Sequence, residues 1–180
     1  VTEDRGGGGV VVPGAQSSSF ANQDFTALNA IGRVRHDFGV SFAGVLVADR
    51  ENDDGSYNRV GGADFQWRPN ATDDVTGQFL WSKSLTPNRS DLASEWTGQQ
   101  LHGGNFFLRW IRSTKKWEYR AVYHDVGPGF RADIGFVPQV GYREVRQFVT
   151  RRFYPGGYFS RLFPALFVDQ VWDRGGSTLT

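Results

Sequence analysis

Apolar and polar side chains take turns along most of this chain, with a period of two. In residues 57–68, Ala63, Phe65 and Trp67 share one phase while Asp64, Gln66 and Arg68 take the other. Residues 74–84 set Val75, Phe79 and Trp81 against Thr76, Gln78 and Ser82. Residues 103–113 set Phe106, Leu108 and Trp110 against Asn105 and Arg109. Residues 116–125 set Trp117, Tyr119, Ala121 and Tyr123 against Glu118, Arg120 and His124. Successive side chains of a strand point to opposite faces, so each run predicts a strand with one apolar face. Runs at 24–38 and 40–49, with the less regular 142–154 and 157–172, bring the prediction to eight strands. Pro164 lies inside the last and removes a ladder donor, which predicts a bulge or distortion there. No long segment carries the 3.6-residue period of an amphipathic helix, so little helix is expected.

The connections between these runs differ in length. Turns near 38–40, 69–73, 113–115 and 155–157 are short, and the connections 50–56, 85–102 and 126–141 are longer. Short and long alternate along the chain. A transmembrane barrel has that order, with turns at one end and loops at the other. Strands of about ten residues also match the tilted span of a bilayer. The expected fold is all-β, an antiparallel up-and-down transmembrane β-barrel or a section of a larger barrel, with its strands in hairpins. Residues 1–23, rich in Gly and Ser, read as an outer loop or linker, 24–172 as barrel strands and loops, and 173–180 as an outer loop or tail. Both ends then fall on the long-loop side, which suggests an internal section of a larger barrel. Its open edges would pair with further strands or with other chains of an outer-membrane complex.

The alternation also assigns faces. An arginine at the bilayer midplane costs roughly 2–4 kcal/mol, so the polar phase is expected to face a lumen. Its candidates are Asp64, Gln78, Arg109, Glu118, Arg120 and His124. Trp67, Trp81, Trp110, Trp117 and Trp172 fall near strand ends, where amphipathic rings form interfacial girdles. Trp96 sits in a long loop, free to meet a ligand. In the loop 126–141, Phe130, Ile134, Phe136 and Val137 are too apolar for a solvated tip, and Pro128 and Pro138 stiffen its ends. That loop is expected to fold over or into the barrel mouth.

Composition mainly excludes. The net charge is +1, which leaves no electrostatic footprint for nucleic acid. With no Cys there is no disulfide scaffold, zinc–thiolate site or cysteine nucleophile. The basic residues are 17 Arg against 3 Lys, favouring fixed, forked hydrogen bonding. No stretch reaches the roughly 18 apolar residues of a transmembrane helix. The acidic run Asp49–Gly55 departs from the spacing of a calcium loop and reads as a solvated hairpin tip. His36, His102 and His124 show no ligand spacing, Gly-x-Ser-x-Gly is missing, and Gly6–Gly9 lacks the Lys-Ser/Thr of a phosphate loop. No catalytic residue, metal or cofactor is therefore assigned, and no enzyme is expected. Six Trp also suit a soluble β-sandwich or lipocalin-like module for carbohydrate or another ligand, which would stay monodisperse without detergent.

One segment is more specific. Gly129-Phe130-x-x-Asp133-x-Gly135-Phe136-Val137-Pro138, followed by Tyr142-Arg143, resembles the hallmark of the bacterial domain-of-unknown-function family 5916. Three other stretches are similar to that family: Gly32-Arg33-Val34-Arg35-x-Asp37, Gly44-Val45-Leu46 leading to Asp49-Arg50, and Ser56-Tyr57-Asn58-Arg59-Val60-x-Gly62-x-Asp64. The resemblance covers most of residues 25–154. It implies a β-barrel in the outer membrane of a Gram-negative-type bacterium, with outer-membrane lipid as its partner. Members often follow a family-9-type carbohydrate-binding domain. The family domain is considerably longer than this chain, in keeping with a fragment. No substrate and no sugar-binding residue carry over.

Overall fold

The computed structural model describes residues 1–15 and 17–179. Those residues form eleven strands and no helix: β1 (Thr2–Asp4), β2 (Gly9–Pro13), β3 (Ser18–Asn22), β4 (Ala27–Phe38), β5 (Ser41–Asn52), β6 (Tyr57–Trp67), β7 (Asp73–Leu85), β8 (Gln100–Ser113), β9 (Trp117–Val126), β10 (Tyr142–Arg151) and β11 (Ala165–Asp173). The nine-stranded sheet has the order β1-β4-β5-β6-β7-β8-β9-β10-β11, and β2 pairs β3 in a separate hairpin. Strands β4 to β11 are an antiparallel meander in which each strand meets its sequence neighbour. Turn chemistry helps to fix it. Gly39, with φ of 64°, takes the first central position of the two-residue turn between Phe38 and Ser41, as a type II′ hairpin requires.

Residues 1–23 depart from the linker expectation. Val10–Val12 pair with Phe20 and its neighbours in the β2–β3 hairpin. Val12 and Ala21 then bury themselves against Phe25, Ala93 and Trp96. Trp96 is only 7% exposed and lies 5.7 Å from the Phe25 ring, so it is a packing residue and not a free ligand contact. A three-valine run between Gly/Ser-rich flanks forms a strand here because a distant loop supplies its apolar cover.

The expected strand 157–172 begins only at Ala165, since Pro155 and Pro164 cannot donate to a ladder. The register nonetheless runs on unbroken, from Thr150↔Ala165 through the isolated bridges Phe153↔Leu162 and Gly156↔Phe159. The hairpin therefore still closes at a tight turn, and Tyr154, Tyr158, Phe159 and Phe163 stand exposed along it. The alternation of short and long connections is weaker than expected. The segment 53–56 is shorter than 68–72, so the contrast holds only from 86–99 onward, where 86–99 and 127–141 flank the short 114–116.

The sheet does not close. β11 is one margin, and β4 is the other beyond the three residues that β1 covers, Ala27–Asn29. It is strongly staggered. The line of paired residues that starts at Arg33, midway along β4, passes Leu46, Gly62, Leu80, Asn105, Val126 and Tyr142 and ends at Asp173, the last residue of β11.

Candidate functional site

Paired residues of an antiparallel sheet share a face, so the register sorts every strand residue. One face carries Val34, Val45, Ala63, Phe79 and Phe106 in a single line of partners. All five expected girdle tryptophans fall on this face. Trp67, Trp110 and Trp117 lie toward the short-turn end, and Trp81 and Trp172 toward the long-loop end. Nothing covers this face among the described residues: Val45, Val47, Phe65, Phe79 and Trp81 are exposed. Charge appears only at its margins. Near the long loops Arg59 pairs with Glu51 at 2.5 Å, and Arg143 with Asp125 at 3.2 Å. Near the short turns the Trp110 indole donates to Asp73 at 2.9 Å.

The other face carries every expected lumen candidate. Asp64, Gln78 and His124 lie in one line through Phe107, and Arg109, Glu118 and Arg120 keep the same phase. Asp64 takes an ion pair from Arg33 across β5. Gly44 makes room for it, because a Cβ there would stand 2.9 Å from the Asp64 carboxylate. Glu118 receives Arg120 at 3.4 Å and also Arg152. Arg109 donates to Thr76 at 3.2 Å, while its buried Nε has no partner. His124 sits between the Asn105 amide oxygen at 2.9 Å and the Tyr142 hydroxyl at 3.1 Å. Those partners suit a neutral ring that donates from Nε2 and accepts at Nδ1. Gln78 neighbours Asp64 directly in register. Period-two reading put Arg68, which holds Asp74 at 2.7 Å, in the polar phase without making it a lumen candidate, and did not single out Arg146, which holds Glu144 and also Asp169 at 3.2 Å. Their shared phase was the available signal. Apolar residues occur here too, among them Leu46, Leu80, Phe107 and Phe148.

Three segments cover the polar face at its long-loop end: the β2–β3 hairpin, 86–99 and 127–141. Phe130 is 0% exposed, packed with Val60, Val126 and Val140. The loop can lie this close because Gly103 has no side chain; a Cβ there would come within 2.5 Å of the Phe130 nitrogen. Asn58 fastens the loop twice, donating to the Arg131 carbonyl at 3.0 Å and accepting from the Asp133 amide at 2.9 Å. The Ser82 hydroxyl accepts from the Arg131 amide at 2.9 Å. The Val140 amide donates to the Gly14 carbonyl at 3.1 Å, tying loop to hairpin. Arg50, buried, reaches Gln23 at 2.5 Å, Asn52 at 3.2 Å and Asn29 at 3.3 Å, which anchors the N-terminal segment to β4 and β5. Burial pushes the half-buried Asp133 carboxyl above the usual carboxylate range, and the nearby Arg50 and Arg131 oppose that push.

The loop motif is thus split. Gly129 and Phe130 are packed, the Asp133 backbone is bonded, and Val137 joins the cluster. Phe136 is instead 76% exposed, and Gly135 and Pro138 are exposed beside it, against the expectation that all the loop's apolar residues turn inward. The acidic tip at 49–55 is engaged locally. Asp53 accepts from the Thr26 hydroxyl at 2.7 Å, which holds its carboxyl below the usual value, and Asp54 accepts from the Ser56 amide at 2.9 Å. Among the described residues no group of three or more His, Asp or Glu is placed to hold a metal.

The geometry defines an antiparallel up-and-down β protein whose two sheet faces are segregated by polarity. Against protein-family models, curated proteins and solved structures, the chain matches none.

Proposed function

We propose that β4–β11 form part of the wall of an outer-membrane β-barrel in a Gram-negative-type bacterium, with the apolar face toward lipid and the polar face toward the lumen. One observation carries this reading: the bare, tryptophan-flanked face is the apolar one, while the covering segments sit on the ion-paired face. A sheet that folds in water buries its apolar face under a second layer. The stagger across β4–β11 is of the kind that tilted barrel strands need. The resemblance to the outer-membrane family points to the same setting.

The wall serves as a pore, a transport scaffold or a surface anchor, with 127–141 as a plug at its mouth. The two strand margins favour completion by further strands, from the same protein or from other chains, since an open edge is not tolerated in lipid. Ile31 and Phe167 agree with that. They are exposed on the polar face, and each sits on a marginal strand that a missing neighbour would flank. Refolding into vesicles of brominated lipid tests the reading. Tryptophan emission should be quenched. A protein that is monodisperse without detergent and unquenched would be the soluble β-sandwich or lipocalin-like module instead.

A further inference from the structure

Three hollows on the apolar face share walls and make one furrow along β7 and β8. The uppermost, about 260 Å³, is lined by Trp81, Lys83, Gln100 and His102. The middle one, about 330 Å³, shares Trp81 and His102 with it and adds Phe79, Gly104 and Phe106. The lowest, about 480 Å³, shares Phe79 and Phe106 and continues over Val45, Ala63 and Phe65. Gly104 keeps the floor open: ring atoms of Trp81 and Phe79 stand 3.4 and 3.6 Å from where a Cβ would be.

The head of the furrow is its cationic end, while the lowest hollow is mostly apolar, with His36 on its wall. Lys83 is exposed, has no ion pair among the described residues and lies directly opposite His102 in the ladder. Beside them Arg143 and Arg174 share the single carboxylate Asp125, at 3.2 and 2.5 Å. On the other flank Arg59 is matched by both Asp49 and Glu51, so the positive surplus is confined to the head of the furrow. Lys83 also lies two residues beyond Trp81 toward the long-loop end, where headgroups would meet a barrel of this orientation.

We propose that the furrow binds one anionic lipid, its phosphate accepting from Lys83, Gln100 and His102 and its acyl chains lying over Phe79, Phe106 and Ala63. This rests on the membrane reading above. A net-negative headgroup is favoured over a zwitterionic one because the latter brings its own cation to a cationic cluster. The site is a hollow in the side-chain surface of paired strands, so it takes an individual molecule and not merely the average bilayer.

The test uses the full chain in phosphatidylcholine vesicles containing a minor fraction of brominated phosphatidylglycerol, compared with the same fraction of brominated phosphatidylcholine. Quenching by the anionic lipid should reveal enrichment at the protein of about fivefold, the effect of one lysine at an anionic surface. Lys83→Ala with His102→Ala should abolish the excess while leaving phosphatidylcholine quenching unchanged, and Lys83→Glu should turn enrichment into exclusion. Native mass spectrometry should find one retained anionic lipid per chain, absent from the double variant. Equal quenching by both lipids, or an excess that survives the double variant, overturns the proposal and leaves the membrane reading intact. Absence of quenching in fully brominated vesicles overturns both.

Discussion

The two faces of this sheet are built from the same strands yet treat their surroundings in opposite ways. On one, rings and branched aliphatics stand bare between two rows of tryptophan. On the other, arginines and carboxylates pair across strands, and a cap of three segments lies on top. On the membrane reading proposed above, lipid takes the place of a covering layer on the bare face, and the cap occupies the lumen side. Here the capped face is the polar one. That is the reverse of a sheet in water, where charged groups can face solvent and apolar groups need the cover.

The largest effect is expected beneath the cap. Phe130→Ala empties a fully buried position, and aromatic truncations of that kind cost about 3–5 kcal/mol. Denaturant unfolding of the refolded protein measures it, and a loss below about 1 kcal/mol would mean that the cap is laid on loosely. Next comes a direct comparison of the faces. Phe79→Arg places a cation in the bare band and should destabilise the lipid-inserted state by about 2–4 kcal/mol, whereas Arg109→Ala on the opposite face should change insertion far less. Equal effects of the two substitutions would erase the distinction between the faces.

The smallest effect belongs to Asp133. Its folded-state pKa lies above the ordinary 3.8, so its contribution to stability is fully present below that value and is lost as pH rises through the folded pKa. Asp133→Asn keeps the neutral form at every pH. The variant should unfold at a higher temperature than wild type at pH 7, and the two curves should converge in acid. A variant less stable at pH 7 would make the Arg50 and Arg131 attraction the stronger influence.

Much of this architecture was legible because alternation is a local property. Ala63, Phe65 and Trp67 announce both a strand and its apolar side within a few residues, and the register keeps all five chosen tryptophans on one side. The polar partners were legible as a phase but not as pairs: that Arg33 reaches Asp64 depends on Gly44 lying between them, which no single strand reveals. Long-range packing was hidden in the same way. Val10–Val12 looked like part of a linker because their cover, Ala93 and Trp96, arrives from residues far along the chain. Phe136 looked like a neighbour for Phe130 but points away, since the loop reverses at 132–135 before Val137 returns to the cluster. Composition could fold a loop back over the strands without saying which of its rings would touch down.

The neighbour-to-neighbour strand order has a consequence for assembly in time. The entropy lost in joining two strands rises only with the logarithm of the segment between them, so the Gly39-Val40 turn closes with an advantage of about 2 kcal/mol over residues 127–141. The β4–β5 hairpin is therefore the natural starting point, and 114–116 is a second one for β8–β9. The β7–β8 and β9–β10 joins come later, because 86–99 and 127–141 must first be drawn in. The β2–β3 hairpin docks last, since Ala93, Trp96 and Val140 exist as a surface only once those two loops are in place. A chain halted partway would consist of separate hairpins with their edges unpaired, and its first lasting encounter with a neighbouring strand would decide what kind of sheet it becomes.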